Sequence, residues 1–96
     1  MKILAIEKPV EGIDWESIPE ILKQEAAYVY MLQMQNRLRE IYFNQDKCAM
    51  IILECKDKAE AESILNEFPL VKKKFISFEI HELLPYTGFD RLLLEN

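Results

Sequence analysis

The stretch Cys48-Ala-Met-Ile-Ile-Leu-Glu-Cys55 carries no polar side chain from Ala49 to Leu53. A strand wet on one side alternates apolar with polar residues. An unbroken apolar run of this length instead marks a strand covered on both faces. Immediately before it, Asn44-Gln-Asp-Lys47 supplies turn residues. Before those, Leu38 to Phe43 is rich in strand formers, so the two runs read as a hairpin.

The reading extends outward in both directions. Downstream, Asp57 and Glu60 have the spacing of a helix start, and Ala61, Ile64, Leu65 and Phe68 form the apolar stripe of that helix. Pro69 closes it, Phe75 to Leu83 reads as a last strand, and Pro85 breaks that strand. Upstream, Lys2 to Glu7 reads as a first strand and Glu11 to Asp14, with Gly12, as a turn. Ser17-Ile-Pro-Glu20 has the form of a capping box, with Ser17 as the N-cap. Ile18, Ile21, Leu22, Val29 and Leu32 then recur at helical spacing to about Gln35. The order strand, helix, strand, strand, helix, strand is the split arrangement of a ferredoxin-like α+β domain over residues 1–96. Four antiparallel strands carry both helices on one face. The doubly apolar central strand then calls for a cover on the other face, and a second copy is the simplest one. Two such sheets packed face to face form a dimeric barrel.

Composition narrows the function classes. Half of the 96 residues are hydrophobic, the net charge is -5 and the pI is about 4.9. An acidic chain is a poor phosphate-backbone binder, and Lys72-Lys-Lys74 lacks interleaved aromatics, so no nucleic acid is expected and the run reads as a solvated strand end. No apolar run approaches the roughly 20 residues of a membrane span. The amino-terminal segment lacks a signal-peptide pattern, which makes a cytoplasmic location the expectation. Cys48 and Cys55 are about 23 Å apart along an extended strand, too far for a disulfide, and read as buried thiols. With a single histidine no zinc cluster is expected within one chain, and two glycines make no phosphate loop, so no metal and no cofactor are expected.

Phe68-Pro-Leu-Val71, Ile76-Ser-Phe-Glu-Ile80 and Leu84-Pro-Tyr86 are similar to the tail of muconolactone isomerase-like proteins, and Asn36 to Phe43 resembles the strand after their first helix. The resemblance covers the chain from about Gln24 and implies the dimeric α+β barrel fold, with self-association into a homodimer or higher ring. It also implies a small-molecule ligand: the isomerase moves a proton within an unsaturated lactone. The family pattern has tryptophans where this chain has Leu38 and Tyr42, a histidine opposite Glu40, and a different tail after Ile80. The implication is therefore firmer for fold than for lactone isomerisation.

Alternation sorts the polar residues. Ile76, Phe78 and Ile80 should pack under the helices, leaving Phe75, Ser77, Glu79 and His81 on the opposite face. In the second strand Ile41 and Phe43 form the apolar set, leaving Leu38, Glu40 and Tyr42 opposite. A desolvated Glu79 with a raised pKa would abstract a proton and His81 would pass it on. Tyr42 would donate to a developing enolate oxygen. Glu40, Ser77 and Phe75 would line the same surface. Glu25 interrupts the stripe of the first helix and either reaches the cavity rim or pairs with Arg37 or Arg39.

Each residue also has a plainer reading. Alternating polar side chains on a strand ordinarily face water or an interface, and Tyr42 suits a dimer contact. Three functions are compatible with the pattern. The first is a cofactor-free isomerase acting on a lactone or an aromatic-derived molecule. The others are a non-catalytic dimeric binding or assembly protein with a filled barrel, and a cofactorless monooxygenase-like protein.

Overall fold

The computed structural model describes residues 1–93. Four strands, β1 (Lys2–Pro9), β2 (Leu38–Phe43), β3 (Ala49–Glu54) and β4 (Ile76–Leu83), form one antiparallel sheet in the order β2-β3-β1-β4. Helix α1 (Pro19–Met34) joins β1 to β2 after a single 3-10 turn at Trp15–Ser17. Helix α2 (Lys58–Asn66) and the short α3 (Pro69–Lys72) join β3 to β4, and a last turn, α4 (Asp90–Leu93), follows. This is the ferredoxin-like α+β arrangement that the element order implies.

The core lies between the helices and one face of the sheet. Ile3, Ala5, Ile51 and Leu53 are fully buried from the two central strands, against Leu32, Ala61, Ile64, Leu65 and Phe68 from the helical side. Phe68 anchors this layer through edge-on contacts with Tyr28 at 5.0 Å and Phe78 at 5.1 Å. Tyr28 keeps its hydroxyl satisfied by donating to the Ile64 carbonyl at 2.9 Å. On the other face Leu4, Ile6, Met50 and Ile52 stand half-buried at the centre, with nothing packed over them in the single chain.

Local details differ from the sequence reading in instructive ways. Leu38 is only 1% exposed and belongs to the core, not to the face of Glu40 and Tyr42. Leu38 pairs with Leu53 but Glu40 pairs with Ile52, so Arg39 is an extra residue in the strand. That bulge turns Leu38 inward while leaving the rest of β2 in phase. Ser17 does not cap α1: Ile18 occupies the N-cap without a side-chain bond, and Pro19 starts the helix. Ser17 instead donates to the Asp14 carbonyl within the 3-10 turn, where Asp14 accepts from the Glu16 amide. At α2 the expected cap is present, Asp57 accepting from the Glu60 amide at 2.9 Å. Pro69 opens α3 rather than merely closing α2. The lysine run is not a strand end, since Lys72 finishes α3 and Lys74 turns the chain with φ 63°. The thiols are both free, Cys55 buried and Cys48 only half-buried.

Asn36 ends α1 with φ 60°, and the Arg37 and Asn36 amides return to the Leu32 and Gln33 carbonyls. That is the pairing of a Schellman stop, with asparagine in the left-handed position. Gly12, at φ 82°, serves the turn after β1 as its lack of a side chain permits. Beyond Pro85 the chain leaves the domain with Tyr86, Phe89, Leu92 and Leu93 exposed. The radius of gyration is accordingly 16.2 Å, against about 12–13 Å for a compact domain of this length.

Candidate functional site

A cleft of about 850 Å³ opens on the helical side of the sheet, under the first half of α1. It exists because α1 packs tightly only through its second half. Leu32 is fully buried, whereas Leu22 is 36% exposed on the cleft wall. The carboxyl-terminal ends of β1 and β2 and the turn between β2 and β3 complete it. Trp15, Leu22, Val29, Phe43, Ile51 and Phe78 make most of the lining apolar.

Two carboxyl groups stand in that apolar wall. Glu25, on α1, accepts the Leu70 amide at 3.0 Å. The N-cap of α3 is Phe68, which offers no side-chain acceptor, so Glu25 supplies from another element the cap that the local sequence lacks. It pairs with neither Arg37 nor Arg39. Burial pushes the Glu25 pKa up to about 7. The Leu70 N–H works against that rise and the nearby Glu7 charge adds to it. Such a group exchanges protons near neutrality, as general acid–base work requires. Glu7, the second carboxyl, accepts the Ala49 amide at 2.9 Å just beyond the paired stretch of β1 and β3. Asp46, Lys47 and Cys48 contribute the rim.

The open face of the sheet carries the other candidates. His81 Nε2 lies 2.5 Å from Glu79 Oε2, and Lys8 Nζ lies 3.5 Å from Glu79 Oε1. Exposed and held by these neighbours, His81 first, Glu79 sits below the usual carboxylate range rather than above it. The desolvation expected of it is outweighed in the single chain by these partners. Tyr42 donates to Glu40 at 2.9 Å, a bond that raises the phenol pKa.

These residues share one face without forming one cluster. Cross-strand rows run Tyr42–Met50–Ile6–Glu79 and Glu40–Ile52–Leu4–His81. The two pairs therefore occupy opposite edges, three strand spacings or about 14 Å apart. Ser77, exposed, is paired with Lys8 on the same edge as Glu79. Phe75 precedes β4, half-buried, with its carbonyl accepting the Val10 amide, and it does not line the cleft.

Glu7 is the residue that sequence reasoning missed. Its signal was present, since Ile3, Ala5 and Glu7 alternate onto the buried face of β1. Among the described residues no group of three or more His, Cys, Asp or Glu side chains is placed to hold a metal ion. No described helix is long and apolar enough to cross a membrane.

No protein-family model and no curated protein sequence matches the chain. Solved structures do. Muconolactone isomerase superposes with a TM-score of 0.74 at 14% identity, covering 92% of this chain and 93% of that one. The fold is that of muconolactone isomerase. A second structure, 5-chloro-2-hydroxyhydroquinone dehydrochlorinase from Burkholderia phenoliruptrix AC1100 in complex with 2,5-dihydroxybenzoquinone, gives a TM-score of 0.70 at 14% identity. There the match covers 92% of this chain and 98% of that one. At this identity the likeness is one of fold, the α+β fold implied by the resemblance of Asn36 to Phe43 and of the tail.

Proposed function

We propose that this chain binds a small ring compound in the helix–sheet cleft and moves a proton on it with Glu25, without a cofactor. One observation carries the reading: a carboxyl with a pKa of about 7 stands in the wall of an apolar cleft of about 850 Å³. Glu25 takes a proton from a carbon beside a carbonyl and returns it to another carbon of the same molecule, an isomerisation that balances by itself. Its Oε1 stays on the Leu70 amide, which fixes the carboxyl while the second oxygen works. The two similar folds support the substrate size, since their names refer to small oxygenated rings, muconolactone and 5-chloro-2-hydroxyhydroquinone.

Two copies pair across the open sheet face in the same proposal, burying Leu4, Ile6, Met50 and Ile52 in a closed barrel. A second reading keeps the chemistry between the sheets, with Glu79 as base, His81 as relay and Tyr42 as hydrogen-bond donor. The Glu79–His81 contact at 2.5 Å favours it.

The test is proton exchange in D₂O, followed by NMR on a panel of lactones and hydroxylated aromatics. Glu25→Gln should slow exchange on an active compound at least about a hundredfold, with Glu79→Gln near wild type. The reverse pattern would move the reaction to the open face.

A further inference from the structure

We infer that the cleft selects neutral rings bearing hydroxyl groups over rings bearing a carboxylate, with Glu7 as the specificity-determining residue. The inference rests on the cleft being the ligand site and adds the ligand's charge and donor pattern. Glu7 and Glu25 each commit one oxygen to a backbone N–H, of Ala49 and Leu70 respectively. Neither carboxyl enters an ion pair among the described residues. A carboxylate accepts up to about four hydrogen bonds and donates none. The wall therefore presents unfilled acceptors and calls for donors, which ring hydroxyls supply.

A ligand carboxylate brings only further acceptors and a like charge. Among the residues lining the cleft it would face Glu7, Glu25 and Asp46, with Lys47 as the one base. Like charges roughly 6 Å apart at an effective dielectric of about 20 disfavour binding by about a hundredfold. The apolar lining of Trp15, Phe43 and Phe78 keeps water from screening this fully. With Lys47 offsetting part of the repulsion, a preference of at least tenfold is expected. Glu7 orients the ring by accepting a hydroxyl while Glu25 handles the proton.

Calorimetric titration tests this with the three dihydroxybenzenes and the three matching hydroxybenzoates at pH 7.5. Each pair keeps the ring and exchanges one neutral hydroxyl for a carboxylate. The dihydroxybenzenes should bind at least about tenfold more tightly. Glu7→Gln, which can still accept the Ala49 amide, should cut that ratio by about tenfold with an unchanged unfolding midpoint. On the unaltered protein, raising salt should strengthen hydroxybenzoate binding and leave the dihydroxybenzenes unmoved, because only the charged ring is repelled. Equal affinities within the pairs, or a ratio indifferent to both Glu7→Gln and salt, would overturn the inference and leave the ligand site standing. Binding of neither series would overturn the ligand site as well.

Discussion

Glu25→Gln should make the protein more stable at alkaline pH while removing the proposed proton acceptor. The folded chain holds the Glu25 proton with a pKa of about 7, against 4.5 for an ordinary glutamate. A carboxyl raised in the folded state stabilises folding fully below the unfolded value, and that contribution is lost as pH rises through the folded value. The relevant window thus runs from about pH 4.5 to about pH 7. The displacement corresponds to about 3 kcal/mol before solvent is considered. Glu25 remains partly open to water, and screening reduces the figure to about 1–2 kcal/mol. Glutamine is neutral throughout and can still accept the Leu70 amide, so it escapes the loss. Urea unfolding at fixed protein concentration should show the variant about 1–2 kcal/mol more stable than the parent at pH 8, and nearly level with it at pH 5. In thermal unfolding at pH 8 the gap should be about 5–10 °C. A difference that does not change between pH 5 and pH 8 would refute the burial of a titrating carboxyl here.

Lys74 holds φ 63°, a conformation that costs a side chain more than it costs glycine. Lys74→Gly should therefore raise the unfolding free energy by about 0.5–1 kcal/mol, read from urea midpoints. Sedimentation should give at least twice the 11.4 kDa chain mass, and Ile6→Asp, at the centre of the open sheet face, should return it to a single chain mass with unchanged far-UV circular dichroism. A parent protein that sediments as a monomer would remove the proposed barrel.

Periodicity and turn chemistry made most of the fold legible. The apolar run Ala49–Leu53 marked the central strand, Asp57 and Glu60 marked the start of α2, and alternation along β4 separated Phe78 and Ile80 from Glu79 and His81. The bulge at Arg39 was invisible because it arises from pairing against β3, not from any local signal in β2. Ser17 misled because Asp14 competes for the same start and wins it for a 3-10 turn. The cleft was the larger miss. The same stripe residues, Leu22 and Leu32, end in different surroundings, one on the cleft wall and one fully buried, and that difference is a property of the packed layers rather than of the helix sequence. Glu25 was visible as a break in an apolar stripe. Its partner was not, since Leu70 lies 45 residues away and offers only a backbone N–H.

The most direct test of the cleft as the ligand site is amide chemical-shift mapping with whichever ring compound binds best. The amides of Leu70 and Ala49 report on Glu25 and Glu7 through the hydrogen bonds they donate, and Trp15, the sole tryptophan, reports on the apolar wall. The Leu70 and Ala49 amides and the Trp15 indole N–H should shift together on titration, while His81 and Tyr42 stay in place. Movement at His81 and Tyr42, with Leu70 and Ala49 unmoved, would contradict the account.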